Sequence, residues 1–194
     1  MKWLGLFLAL LLVVSFVKKG AQPVDTNTES EIIWSSGVKL KWDDFQGAPD
    51  SRSSYKAMTT TTIGTGVNEY SDSVVSYKFI CAFDKKKSWK KIEAVELLKH
   101  EQLHFDMAEL AVRKLRKEFS EYRFTSLNGV NAHLKKIFAA ATALRKSMGQ
   151  DYDTETKHGT VEDQQRKWEV KIAEELKKLE AYSGSTVIIR RVKK

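Results

Sequence analysis

The chain has 194 residues, a formal net charge of +8 and one cysteine, Cys81, which excludes an internal disulfide. This length suits one ordinary domain with a sizeable core. Apart from a stretch near the N-terminus, no long apolar run occurs, so no other segment is predicted to span a membrane.

The N-terminal 21 residues have the layout of a secretory signal peptide. A short basic start precedes an apolar stretch at residues 3–17, which is short for a membrane span. Cleavage is predicted after Ala21, although lysine occupies a position where a small residue is expected, and an uncleaved N-terminal anchor is the alternative. The protein is therefore predicted to be exported, either periplasmic or secreted, with residues 22–31 as a polar leader.

Export decides how the positive charge is interpreted. Basic clusters occur at residues 85–87 and 190–194. In a cytosolic protein they would suggest nucleic acid. In an exported chain we interpret them as solvated surface, with attraction to a membrane or another anionic envelope surface as the alternative. No nucleic-acid partner is predicted.

The first half of the exported chain predicts a small antiparallel sheet. Residues 32–42 predict one or two short strands, and the threonine-rich residues 55–67 predict another. This second segment is an ordinary strand or, alternatively, a sheet edge that binds an extended substrate. Residues 73–84 alternate most clearly, and their pattern places Cys81 on the apolar face as a small buried residue.

Beyond Ser88 the apolar period becomes helical. Ser88 and Thr160 are predicted N-caps, and Gly149 is a predicted helix end. Strands followed by helices indicate an α+β domain, which we assign to residues 32–194 as a single unit. The elements predicted after the sheet are helices over residues 88–119, 128–148 and 160–182 and a final strand over residues 186–192.

The first of these helices carries the motif HExxH, formed by His100, Glu101 and His104. Residues four apart lie on one face of a helix, so the two imidazoles can bind one zinc ion. The glutamate beside them can act as general base on the water that zinc activates. The motif therefore predicts a zinc metallopeptidase acting on peptide or protein substrates. A sheet ahead of such a helix resembles, by analogy, small zincin domains.

A catalytic zinc site needs a third protein ligand. The sixth position after His104 is Leu110, so the extended motif with a third histidine there is absent. His158 is favoured as the third ligand because it lies in a polar, turn-like segment between two predicted helices. Asp153 is the alternative, either as ligand or as an acceptor that orients a histidine. His133 lies within a predicted helix and is interpreted as a packed residue.

Three further residues are assigned auxiliary roles. Tyr152 is a candidate for stabilising the oxyanion, with a packed tyrosine as the simpler interpretation. Glu96, one turn before His100, and Asp106 are candidates for orienting a ligand histidine.

Residues inside and outside the motif follow a pattern shared with one bacterial family. The matching positions are residues 40–47, 97–106, 108–110 and 113–115, then Tyr152, Asp153, Thr156, His158, Gly159, Gln165 and Trp168. In these residues the chain resembles a bacterial family of unknown function whose members are described as predicted secreted zinc-dependent proteases. The resemblance covers nearly all of the exported chain. It implies a zincin-type protease and supports the segment around His158 as a ligand region.

Two other functions are compatible with the motif. One is a binding or scaffolding protein of the cell envelope with a structural zinc site, which removal of the metal would unfold. The other is a metallohydrolase that cleaves an amide bond of the cell wall.

Overall fold

Short strands and three long helices make up the part of the chain that the computed structural model describes, residues 27–192. The predicted signal peptide or anchor lies outside these residues. The α+β class is confirmed, with all strands but the last preceding the helices. The strands are β1 (Glu31–Ile33), β2 (Ala57–Met58), β3 (Thr61–Tyr70), β4 (Val74–Asp84), β5 (Trp89–Lys90) and β6 (Thr186–Arg190); the helices are α1 (Val95–Glu121), α2 (Leu127–Thr156) and α3 (Glu162–Lys178).

The main sheet is built around β4, which pairs antiparallel with β1, β3 and β6. β4 is almost entirely buried because it has neighbours along both edges and helices against one face. Cys81 lies on this strand and is buried, as predicted. A second, two-stranded sheet pairs β2 with β5.

Several predicted boundaries are wrong. Thr160 does not cap α3, whose N-cap is Val161, and residues 55–67 do not form one strand but contribute to β2 and β3. Residues 38–42 form no strand, and a short 3-10 helix follows at Trp42–Asp44. Ser88 does not cap a helix, because its hydroxyl accepts a hydrogen bond from the Thr60 amide at 2.9 Å and α1 begins only at Val95. Gly149 does not end α2, which continues to Thr156.

α1 is buried on nearly all sides because the sheet, α2 and α3 pack around it. One apolar cluster fills the space between α1, the sheet and the first half of α2. A second, smaller cluster joins α1 to the end of α2 and to α3, and includes Leu103, Tyr152 and Trp168. Among residues 27–192, no helix has the length and apolar character needed to cross a membrane.

Candidate metal centre

His100, Glu101 and His104 lie in the first half of α1, where the two imidazoles are one turn apart. Their Nε2 atoms are 3.3 Å from each other, and the two ring planes are nearly perpendicular at 88°. His100 is buried, whereas the side chain of His104 is 21% exposed. Both nitrogens therefore converge on a point that can be reached from solvent on the His104 side.

Asp153 on α2 faces the Nε2 atoms of both histidines. Its Oδ1 atom is 3.1 Å from Nε2 of His100 and 3.0 Å from Nε2 of His104. Burial alone would raise the pKa of this carboxyl group, but the hydrogen bonds from His100 and then His104 outweigh it, so the pKa of Asp153 is lowered. The carboxylate is consequently charged and faces two imidazole nitrogens.

His158 reaches the same point from the residues that follow α2. Lys157 and His158 both have positive φ angles, and this left-handed turn brings the His158 side chain back over the helix end. Nδ1 of His158 lies 3.6 Å from Oδ1 of Asp153. Donor atoms of His100, Asp153 and His158 all lie within 4.8 Å of one another. The sequence left Asp153 and His158 as alternatives; the structure brings Asp153 to both motif histidines and His158 to His100 and Asp153.

This donor set fits a zinc ion, since imidazole nitrogens and a carboxylate oxygen are the ligands that zinc takes in catalytic sites. Glu101 provides a second observation. Its side chain is buried, and Oε2 has no hydrogen-bond partner among the described residues. A buried carboxylate oxygen without a partner is costly, so the site is suited to an occupant that can donate a hydrogen bond.

The metal centre opens into a cleft of about 720 Å³. The segment around β2 forms the wall opposite α1, and Thr59 fixes it there because its hydroxyl donates to the carbonyl of Glu101 at 3.2 Å. Three large apolar side chains in this cleft are exposed, namely Tyr55, Met58 and Ile92. The Tyr55 ring also contacts the ring of His158, at a centroid distance of 4.9 Å.

Behind His100, a buried group of polar side chains holds the ring. Tyr152 stacks on the imidazole at 4.5 Å with an interplanar angle of 19°. The Tyr152 hydroxyl donates to Oε1 of Gln165 at 2.5 Å, and the same oxygen is 3.3 Å from Nδ1 of His100. Among these residues, Gln165 entered the sequence analysis only through the family pattern, because nothing in its local sequence indicates contact with a residue 65 positions away.

The polar groups of the other predicted auxiliary residues have partners outside the cluster of His100, His104 and Asp153. Tyr152 is fully buried and bonded to Gln165, so its hydroxyl does not face the cleft. Glu96 is exposed and pairs with Lys99 at 2.9 Å. Asp106 accepts hydrogen bonds from the Trp34 indole at 2.8 Å and the Gln102 amide at 3.0 Å.

His133 also lies apart from the centre and stacks on Tyr122 at a centroid distance of 4.0 Å, as expected for a packed residue.

Fold and site together define an α+β protein whose central helix bears HExxH beside a cluster of side chains suited to metal binding. Residues 21–159 match a family described as bacterial proteins of unknown function, DUF922, and the chain belongs to this family. The predicted resemblance is thereby confirmed, while the family description assigns no activity. Comparison with curated proteins and with solved structures gives no match.

Proposed function

We propose that the protein is a zinc-dependent peptidase of the bacterial cell envelope, with Glu101 as its general base. The observation that carries the proposal is the buried Oε2 of Glu101, which lacks a partner and belongs to the residue between the two histidines of the cluster. A structural helix would gain nothing from burying an unpartnered carboxylate there.

His100, His104 and Asp153 would hold the metal, with His158 beside them. Nε2 atoms from two helical positions and a carboxylate oxygen from α2 correspond to the three-ligand set of catalytic zinc sites. A zinc ion in this position supplies a Lewis acid that polarises a carbonyl and lowers the pKa of a water to about 7.

Glu101 would transfer a proton from the attacking water to the leaving amine. Its carboxylate accepts a proton from the attacking water as the oxygen forms a bond to the carbonyl carbon of the peptide. The same carboxyl group donates that proton to the amide nitrogen while the C–N bond breaks, releasing a carboxylic acid and an amine, between which the remaining proton passes to give a carboxylate and an ammonium group. Glu101 is buried beside the cleft, so bulk water would be kept away from the proton transfer.

The apolar wall of the cleft favours a particular kind of substrate. Tyr55, Met58 and Ile92 present exposed apolar surface in the same cleft as the metal cluster. Substrates with a large apolar side chain next to the cleaved bond would cover this surface on binding. Sequencing the fragments released from a peptide library tests this preference, and cleavage independent of apolar side chains contradicts it.

Export belongs to the proposal because residues 1–21 have the pattern of a signal peptide or anchor. Cell fractionation of the bacterium that produces the protein tests this part. Recovery in the cytosolic fraction contradicts it without affecting the chemistry of the site.

A second candidate function is a non-catalytic envelope protein with a structural zinc site. Asp153 contacts both motif histidines, and His158 lies within 4.8 Å of His100 and Asp153, so four side chains are available, and structural zinc sites are closed by four protein ligands. In a peptidase, one position must stay open for water. Substitution of His158 by Ala distinguishes the two, because loss of zinc and of folded structure supports a closed site.

The test of the peptidase is hydrolysis of casein by the zinc-loaded protein, with and without a chelator. We expect Glu101→Gln to retain one zinc per chain and to lose activity by roughly 10²–10⁴-fold, the range for removal of a general base. Glu118→Gln is the matched control, since Glu118 is an exposed glutamate on the same helix that does not line the cleft.

Undiminished casein hydrolysis by Glu101→Gln would exclude Glu101 as the base. Zinc binding without any hydrolysis of casein or of purified peptidoglycan would favour the structural site. Hydrolysis of peptidoglycan alone would move the proposal to an amide bond of the cell wall.

A further inference from the structure

We infer that Gln165 on α3, itself oriented by Glu169, determines which ring nitrogen of His100 carries the proton and thereby presents Nε2 to the metal. Gln165 is in this sense a positioning residue. The inference rests on the metal site of the proposed function but not on peptidase activity.

The first step is the orientation of the Gln165 amide. A carboxylate only accepts hydrogen bonds, and Oε1 of Glu169 lies 3.0 Å from Nε2 of Gln165. The NH₂ group of Gln165 must therefore face Glu169, and its carbonyl oxygen must face the opposite way. A flipped amide would place two acceptors against each other and leave the NH₂ group toward His100.

The second step is the tautomer of His100. The oxygen of Gln165 lies 3.3 Å from Nδ1 of His100 and can only accept, so Nδ1 must donate. Where zinc binds, the imidazole is neutral and carries one N–H; with that proton held on Nδ1, zinc takes the place on Nε2 of the proton that is otherwise donated to Asp153. Nε2 is the nitrogen that faces Asp153 and His104.

The third step is the rigidity of this arrangement. Gln165 is 5% exposed, so water does not compete for its oxygen. The same oxygen accepts from the Tyr152 hydroxyl at 2.5 Å, and Tyr152 stacks on the His100 ring.

The element that provides Gln165 lies beyond the part of the chain that matches the family, residues 21–159. α3 is held against α2 by Trp168, whose indole donates to Glu155 at 2.7 Å. The first histidine of the motif thus depends for its orientation on α3, which follows the matched residues and whose Gln165 and Trp168 also fit the family pattern.

The experiment measures zinc affinity by competition with a chromophoric chelator and identifies the His100 tautomer by NMR of ¹⁵N-histidine-labelled, zinc-loaded full chain. We expect a resonance from a protonated Nδ1 of His100 in the parent protein. Gln165→Leu should lose this hydrogen-bonded proton signal and bind zinc about 10–100-fold more weakly, the usual effect of removing such a partner. Gln164→Leu is the control, one position along the same helix and half-buried.

Glu169→Leu provides a second variant, should Gln165→Leu fail to fold. It leaves Gln165 in place but frees its amide to flip, so the Nδ1 proton signal should weaken and zinc affinity should fall by a smaller factor. A parent protein with the proton on Nε2 and the metal on Nδ1 overturns the inference, and so does parental zinc affinity in both variants. Zinc bound as expected without hydrolysis of casein overturns the peptidase and leaves this inference standing.

Discussion

Gly159 follows α2 and lies directly against the ring of His100. Its φ angle is +80°, a conformation that L side chains rarely adopt. A Cβ atom added at this position would lie 3.0 Å from Cβ and 3.1 Å from Cγ of His100, which is too close without a shift of one of them. Glycine is therefore required here both by its own backbone and by the histidine that it contacts.

We expect Gly159→Ala to lower the free energy of unfolding by roughly 1–3 kcal/mol, the cost of an unfavourable φ angle. Zinc affinity should fall as well, because displacement of His100 moves Nε2 away from Asp153 and His104. Urea denaturation and chelator competition measure the two effects.

Gly149→Ala is the control, since a Cβ there would meet His104 only at 3.7 Å, an ordinary contact. As Gly149 lies within a helix, this variant should be neutral or more stable by up to about 1 kcal/mol. Equal zinc affinity in both variants would contradict the role given to Gly159.

The predictability of the site differs from residue to residue. His100, Glu101 and His104 could be placed together from sequence because their proximity depends only on the local spacing of a helix. Asp153 could not be ranked above His158, because its position depends on α2 continuing through Gly149 to Thr156. A glycine in a helix costs only about 1 kcal/mol, and packing of α2 against α1 outweighs that local preference for a helix end.

At the scale of elements, the turn between β4 and β5 shows why the start of α1 was misplaced. Ser88 has the residue type of an N-cap, but it is fully buried and bonded to Thr60. The turn itself is organised by Asp84, whose Oδ1 accepts from the amides of Lys86 and Lys87, each at 3.0 Å. The residues next to Ser88 in sequence suggested a helix cap. They could not indicate the actual partner of its hydroxyl, Thr60, because that residue lies 28 positions away.

Asp84 makes this turn sensitive to pH. Burial raises the pKa of Asp84, but hydrogen bonds from the Lys87 side chain and from the turn amides outweigh it, so the pKa is lowered on folding. The charged carboxylate therefore contributes stability at pH values above about 4, the ordinary pKa of aspartate, and this contribution is lost as the pH falls through the lowered value.

We expect Asp84→Asn to be less stable than the parent at pH 7 and the difference to shrink as the pH falls below about 4. Chemical denaturation of both proteins across this range measures it. Asp72→Asn, an exposed aspartate in the turn before β4, is the control. A difference that stays constant down to pH 2 would show that the charge of Asp84 is not responsible.

At the scale of the whole molecule, a buried ionic group connects the central helix to the elements around it. Glu109, Arg113 and Arg116 on α1 are all at most 3% exposed. Arg116 donates to the carbonyl of Phe79 on β4 at 2.8 Å, and to the carbonyls of Tyr182 and Ser183 beyond α3. Arg113 donates to the carbonyl of Leu176 on α3 at 2.7 Å. The two arginines thereby join α1 to the main sheet and to α3.

The sequence predicted the layers of the fold but not this connection between them. The order of strands and helices follows from a change in apolar period at about residue 88, a signal present in the chain itself. Charged residues on a helix are ordinarily assigned to its solvated face. Only packing on all sides of α1 brings Glu109 and its two arginines inside, and that packing depends on contacts far apart in sequence.

Glu109 should be the most sensitive point of this connection. Its Oε1 accepts from Arg116 at 2.7 Å and from Arg113 at 3.1 Å. Burial raises the pKa of Glu109, and the two guanidinium groups oppose that rise. Removal of the carboxylate would leave Arg116 buried without an anion, while Arg113 keeps Glu180 at 2.9 Å; breaking a buried pair in this way costs about 3–5 kcal/mol.

We therefore expect Glu109→Leu to lower the free energy of unfolding by roughly this amount, about 3–5 kcal/mol, with the slope against urea concentration unchanged. Glu118→Leu, an exposed glutamate on the same helix, is the matched control and should differ from the parent by less than about 0.5 kcal/mol. Since the partners of Glu109 are Arg113 and Arg116, farther along α1 from the metal centre, the folded fraction of Glu109→Leu should keep its zinc affinity. A loss of stability no larger than that of the control would mean that apolar packing alone holds α1 against the sheet and α3.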